Sequence, residues 1–384
     1  MILSTIAITI IIVYLLVIGL SIYGFDKVED FKLQDLPAKT KFSIVIPFRN
    51  EAENLPKLLA SVSKLNYSKS LFEIIFVDDD SEDESPSIIN KILDTKSFKK
   101  DFTQSDNIQI IQNKRTSNSP KKDAITSAIK VSKFDWIITT DADCELPKYW
   151  LDVFDECIQT KETDCIVAPV TYHGSNSFFN RFQILDFISL QGVTIGGFGL
   201  SKPFLCNGAN FGYRKSVFYT LDGFEGNEDI ASGDDIFLLE KFIKQDAKKV
   251  HYLKSQKAIV TTNPANGLSQ LIQQRLRWAS KTSRSTIGFT KVVGIIVFLA
   301  NLVCLEFIPA VFLGYVSLKI AIALFVIKFS IDFLLLFKTS RFFKQETLLL
   351  SYPLSSLLYP FFSVYIVLLS LFKSYKWKGR TFKK

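Results

Sequence analysis

The sequence predicts an α/β domain, a doubly wound and largely parallel sheet, with transmembrane helices on its N- and C-terminal sides. Three observations predict it. Between Lys41 and Thr286 short β-branched runs alternate with helical patterns, the two ends of the chain are apolar and nearly uncharged, and three polar clusters each follow directly on an apolar strand.

Met1–Phe25 carries no charge and is long enough to cross a hydrocarbon core as a helix. It lacks a basic leader region and a small-x-small cleavage site, so it reads as a retained anchor. Lys27, Lys32, Lys39 and Lys41 follow it, and the positive-inside rule then places the next domain in the cytoplasm. Residues 26–40 read as a linker, and 41–286 as the α/β domain. Its order is FSIVIP, then a helix over Glu51–Leu65; FEIIFV, then Pro86–Leu93; IQII, then Lys121–Val131; DWIITT, then Pro147–Ile158. Ligands of such sheets sit beyond the C-terminal strand ends. Arg49-Asn50-Glu51, Asp78-Asp79-Asp80 and Asp141-Ala142-Asp143 would therefore share one rim. Residues 287–384 read as a membrane region: two helices within Val292–Phe337, then Thr347–Phe372, 26 residues without a charge. That last segment contains Pro353 and Pro360, and a simple crossing would place a tail with six basic residues outside. A re-entrant or interfacial hairpin that returns the tail is the expectation.

Charge and composition exclude several classes. The net charge is +8, yet residues 287–384 hold 12 Lys and Arg against 3 Asp and Glu, leaving 34 basic and 35 acidic residues before them. The soluble part is neutral, which argues against a nucleic-acid partner. The chain has five Cys, an odd number without a CxxC, which fits free thiols. With two His in all, a bound metal would be a hard cation held by carboxylates.

Three motifs carry chemistry. Asp141 and Asp143 are spaced i, i+2 after a strand, so both carboxylates can face one Mg²⁺ or Mn²⁺; solvated turn aspartates are the alternative. Gly233-Asp234-Asp235 opens a helix, where a carboxylate can take a proton from a hydroxyl or simply cap the helix. Gln274-Arg275-Leu276-Arg277-Trp278 offers guanidiniums for a diphosphate and an indole for a sugar ring, or else a basic-aromatic helix at lipid headgroups.

The runs SIVIPFRNEAENLPKLLASV, EIIFVDDDSEDES, PKKDAITSAI, DADC, CNGANFGYRKSVF, GFEGNEDIASGDDIFLLEKF and QQRLRW resemble, in order and spacing, the membrane-bound family-2 glycosyltransferases over residues 41–282. The resemblance implies a GT-A fold (the nucleotide-diphospho-sugar transferase fold), a nucleotide-diphosphate sugar donor with UDP-sugars favoured, a divalent metal (Mg or Mn), and a polysaccharide or lipid acceptor. It implies an integral membrane protein, in a bacterial inner membrane, with a cytoplasmic catalytic domain. Pro47, Arg49, Asn50, Glu51, Asp79, Lys122 and Asp141 would bind the nucleotide sugar, and Asp141 and Asp143 the metal. Asp235 would be the base of an inverting transfer, and Asp234, Gln274, Arg277 and Trp278 would serve the acceptor and diphosphate. Gln274, Arg277 and Trp278 match the QxxRW signature of processive synthases and some lipid glycosyltransferases. Asp80 departs from the glycine usual in the family's VDDGS turn. Two other readings compete: a haloacid-dehalogenase-like phosphatase, suggested by WIITTDADC, and a non-catalytic membrane scaffold.

Overall fold

The computed structural model describes residues 2–95, 107–174 and 177–382. The chain divides into two compact units: Met1–Val28, Gly174–Phe204 and Pro264–Lys384 form the first, and Glu29–His173 with Leu205–Asn263 the second. Two stretches within 41–286, namely 174–204 and 264–286, thus fall with the membrane helices.

The second unit is built on a sheet of order β3-β2-β1-β4-β7-β5-β8. Its strands are β1 (Phe42–Phe48), β2 (Phe72–Asp78), β3 (Ile108–Gln112), β4 (Trp136–Thr139), β5 (Cys165–Val167), β7 (Phe211–Arg214) and β8 (Val250–Tyr252). Strands β1 to β4 are mutually parallel, while β7 runs antiparallel to both β4 and β5. Ile44, Val45, Ile46, Ile74, Ile75, Phe76 and Val77 are fully buried, as expected of strands covered on both faces, and this is why their sequences are continuous apolar runs. A smaller pair, β6 (Val170–Tyr172) and β9 (Val260–Thr262), lies outside this sheet.

In this unit α2 (Leu55–Ser63), α3 (Ser85–Leu93), α4 (Pro120–Val131), α5 (Trp150–Thr160), α7 (Lys215–Thr220) and α8 (Ile236–Asp246) complete the layers. Helix α2 starts four residues later than the sequence suggests. Asn50 is left-handed, and Glu51 O accepts from the Asn54 and Leu55 N–H groups, so Glu51–Asn54 form a turn first. The linker is strapped to α5: Glu156 accepts the Gln34 and Leu36 N–H groups, and Asp155 those of Lys39 and Thr40. Two carboxylates thus replace the pairing that a strand would have supplied.

The first unit holds α1 (Ile2–Lys27), α6 (Phe178–Gly199), α9 (Leu268–Arg284), α10 (Gly288–Phe312), α11 (Leu318–Phe343) and α12 (Tyr352–Phe372), and a hairpin of β10 (Tyr375–Trp377) and β11 (Arg380–Phe382). Four segments, Ile2–Lys27, Gly288–Phe312, Leu318–Phe343 and Glu346–Phe372, are long and apolar enough to cross a membrane. The hairpin expected inside 347–372 is not there: a 3₁₀ turn over Glu346–Ser351 leads into one continuous helix. Pro353 falls in its first turn, where a missing N–H costs nothing, and Pro360 is accommodated within it. Tyr352 packs halfway along α11, its hydroxyl donating to Phe329 O at 2.6 Å. Beyond α12 the tail returns to α9, where Lys376 N donates to Gln273 Oε1 at 2.7 Å.

Helix α6 lies where the sequence reading placed no element, and its glycines have a packing role. A Cβ on Gly196 would stand 2.3 Å from Ser21 O, and one on Gly24 would stand 2.1 Å from Gly196 O. Only glycine lets α1 and α6 approach so closely. Among the apolar helices Tyr14, Lys328 and Asp332 form a polar cluster, with Asp332 accepting from both partners at 2.5 and 2.7 Å.

Candidate active site

The register places the three polar clusters together. Phe48 pairs with Asp78, and Val45 with Thr139, so the residues after β1, β2 and β4 emerge on one edge of the sheet. The first two loops are tied to each other. Arg49 donates to the Asp79 and Asp80 carbonyls and to Glu82 Oε1, the Glu82 N–H donates to Asn50 Oδ1, and Ser85 Oγ accepts the Glu51 N–H at 2.7 Å. Pro47 is the penultimate residue of β1 and partly exposed. Asp79 is buried, and its carboxylate accepts from Arg115 at 2.8 Å and Asn113 at 2.7 Å. Asp80 has φ +67°, the left-handed conformation that glycine supplies elsewhere, so the turn is preserved despite the departure.

Beyond β4 lies an acidic cluster closed by one cation. Lys121, near the start of α4, sets its ammonium 2.7 Å from Asp141 Oδ1 and 3.1 Å from Asp234 Oδ2. Burial alone would lower its pKa, but attraction to Asp141 and Asp234 outweighs burial and holds the pKa above the usual lysine value. Asp235 caps α8 through the Ile236 N–H at 2.8 Å, and its other oxygen accepts the Gly208 N–H at 3.2 Å. It is buried, as is Asp234. Gly208 leaves room for this cluster, since a Cβ there would stand 2.9 Å from Asp234 Oδ2 and push that carboxylate aside. Gly233, at φ +89°, makes the turn into α8. Thr139 Oγ1 donates to Gly208 O at 2.8 Å, tying β4 to the same loop.

Lys122, expected at the nucleotide, points elsewhere. It is buried and donates to Asn227 O at 2.6 Å and Ile230 O at 2.9 Å, pinning the loop that leads to Asp234. The ammonium at the acidic cluster belongs to Lys121, which the sequence reading passed over. The KK pair signals a cation, and the helical phase decides which of the two faces the rim.

Gln274, Arg277 and Trp278 lie on α9, in the first unit. Arg275 is occupied there: its Nε donates to Asp186 Oδ2 at 2.7 Å in a buried pair, and its guanidinium lies 4.2 Å from the Trp278 ring centre. Gln274 accepts from Arg275, and Arg277 lies 5.0 Å from the Trp377 ring centre.

Among the described residues no group of three or more His, Cys, Asp and Glu side chains is arranged to hold a metal ion. Asp141 and Asp143 nevertheless fit a hard cation. Both are partly exposed, but they sit in a turn after β4, closed by the Cys144 N–H on Asp141 O at 3.2 Å, and not on the extended backbone the sequence suggests; a donor diphosphate would supply the remaining oxygens. Burial pushes the Cys157 thiol up to about 11, as for inert core thiols.

A mixed sheet of this order, with an aspartate pair after β4 and an acidic helix start joined to it through Lys121, is the arrangement expected of the GT-A fold. The profile of Glycosyl transferase family 2 matches residues 43–222, and that of Glycosyl transferase family group 2 matches residues 136–372, more than half of the chain. The chain belongs to the family-2 glycosyltransferases. Glycosyltransferase AglE of Haloferax volcanii is 24% identical over 238 residues, 61% of this chain and 70% of that protein. Poly-beta-1,6-N-acetyl-D-glucosamine synthase of Staphylococcus aureus is 24% identical over 174 residues, 44% of this chain and 37% of the synthase, so the chain spans well under half of that relative. The mannosyltransferase PcManGT of Pyrobaculum calidifontis, solved with GDP-Man and Mn²⁺, shares the fold at a TM-score of 0.57 and 14% identity, over 92% of this chain and 99% of that one. The family match displaces the phosphatase reading.

Proposed function

We propose that the protein transfers a sugar, with inversion, from a nucleotide-diphosphate sugar to a polysaccharide or lipid acceptor at the cytoplasmic face of a membrane. The observation that carries this reading is the convergence of Lys121, Asp234 and Asp235 on Gly208 beyond β4, with Asp141 joined to them through the Lys121 ammonium. Asp79 and the loop of Arg49, Asn50 and Glu51 border the same rim and would receive the nucleoside. A divalent cation on Asp141 and Asp143 would neutralise the diphosphate and stabilise it as a leaving group. Lys121 adds a fixed positive charge beside Asp141.

Asp235 is oriented by two backbone N–H groups and takes the acceptor hydroxyl's proton. The acceptor oxygen then bonds to the anomeric carbon from the face opposite the diphosphate, whose bond breaks. Inversion follows from that single displacement. On α9, Arg277 is the guanidinium assigned to the departing diphosphate, whereas the Trp278 ring expected to receive a sugar already packs against the Arg275 guanidinium and the Phe187 ring.

The test is incubation of membranes with labelled UDP- and GDP-sugars, followed by sizing of the product as polymer or glycolipid. Asp235→Asn should bind donor nearly normally and lose several orders of magnitude in turnover. Equal loss of binding and rate would move Asp235 to the metal site, and full activity in excess chelator would remove the cation from the proposal.

A further inference from the structure

Arg277 is held in an unusual way. Its Nε is buried without a hydrogen-bond partner, and its guanidinium lies 5.0 Å from the ring centre of Trp377, a residue 100 positions later in the tail. The tail is built to deliver that ring. Tyr375 pairs with Phe382, Lys376 with Thr381 and Trp377 with Arg380, so two residues, Lys378 and Gly379, close the hairpin. Both have positive φ, +48° and +75°, which is the twist a two-residue hairpin turn requires. Tyr375 is buried, stacks on Phe382 at 5.7 Å, and Lys376 N anchors the strand to Gln273, four residues before Arg277. A two-stranded hairpin is marginal alone, so this one owes its order to α9.

We propose that the C-terminal hairpin is a positioning element of the transferase, in which Trp377 fixes the plane of Arg277 for the donor diphosphate. The inference rests on the assignment of Arg277 to the diphosphate given above. A guanidinium stacked on an indole keeps its N–H edges for a bidentate oxyanion, whereas one held by a carboxylate, as Arg275 is by Asp186, has spent them. It also explains the two roles within one motif: Arg275 locks α9 to α6, and Arg277 is kept available.

The test compares wild type, Trp377→Ala, Trp377→Phe, Arg277→Lys and the double variant Arg277→Lys/Trp377→Ala, as full chains in membranes matched for inserted protein, with labelled GDP-mannose and UDP-N-acetylglucosamine as donors. Trp377→Ala should lower turnover by about 3- to 30-fold, the range of a desolvated cation–π contact, and Trp377→Phe should stay within about 3-fold of wild type. In the Arg277→Lys background the Trp377→Ala loss should shrink below about 2-fold, because lysine has no plane to align. Full activity of Trp377→Ala, equal damage by Phe and Ala, or additive losses in the double variant would each overturn the inference. Wild-type turnover by Arg277→Lys would instead refute the diphosphate assignment, which separates the two failures.

Discussion

Gly208→Ala is the most direct probe of the acidic cluster, because its consequence can be worked from distances. Gly208 does not use a left-handed φ, so the substitution adds only a methyl group. That Cβ would stand 2.9 Å from Asp234 Oδ2, 3.4 Å from Asp235 Cβ and 3.5 Å from Lys121 Nζ. The second and third are ordinary contacts, but the first requires the Asp234 carboxylate to retreat by roughly half an ångström. Overpacking of this size costs about 1 kcal/mol of stability, at the low end because the loop can give. Its effect on rate is larger, since a displacement of about 1 Å at reacting groups costs roughly 100-fold, so about half that displacement predicts roughly a tenfold loss. Initial rates in membranes, normalised to inserted protein, measure it. A variant within twofold of wild type would refute the claim that Gly208, Lys121, Asp234 and Asp235 form one fitted site.

Asp80→Gly should be nearly neutral in thermal inactivation, within about 1 kcal/mol, because relief of left-handed strain is offset by glycine's chain entropy and by loss of an exposed ion pair. Asp80→Val, which cannot adopt φ +67° cheaply, should be clearly destabilised in the same measurement. Lys122→Met strips the Ile230 carbonyl of its donor, at about 1–3 kcal/mol, and leaves the Asn227 carbonyl with the Ile230 N–H alone, so it should raise proteolysis within residues 222–235 and lower turnover together. Reporter fusions after Thr286 and after Lys384 should report the same side of the membrane, because Lys376 is bonded to Gln273 and three full crossings between them would separate the two; opposite reports would refute the bond.

The parallel half of the sheet was legible because its strands are buried on both faces and so are written as uninterrupted apolar runs, FSIVIP and FEIIFV, each stopped by polar residues at the rim. The antiparallel strand β7 is Phe-Gly-Tyr-Arg, four residues whose pairing with β4 and β5 depends on contacts remote in sequence. Helix α6 was hidden for a related reason. Gly192, Gly196, Gly197 and Gly199 lower its intrinsic helicity, which close approach offsets: Gly196 and Gly199 face α1, Gly192 faces Leu335 and Thr339 of α11, and Gly197 faces Lys202 and Phe204. The proline argument for 347–372 failed because position within a helix matters more than the presence of proline: Pro353 in the first turn replaces no hydrogen bond.

At the site, carboxylates were readable and cations were not. Aspartates after a strand or at a helix start announce themselves by position, and Asp141, Asp143, Asp234 and Asp235 all lie where their motifs put them. A lysine or arginine declares only a charge on a long stem, and its partner is chosen by folding. Lys121 and Lys122 are adjacent, yet one bridges Asp141 and Asp234 while the other is buried on backbone carbonyls. Arg275 and Arg277 are two apart, yet one is locked to Asp186 and the other faces an indole supplied by the tail. In each pair the helix turns the two stems to different neighbours, so Lys122 and Arg275 hold the scaffold, while the proposed function gives Lys121 and Arg277 to the substrate. The same division makes each pair its own control, because the scaffold member should fail in stability and the substrate member in rate.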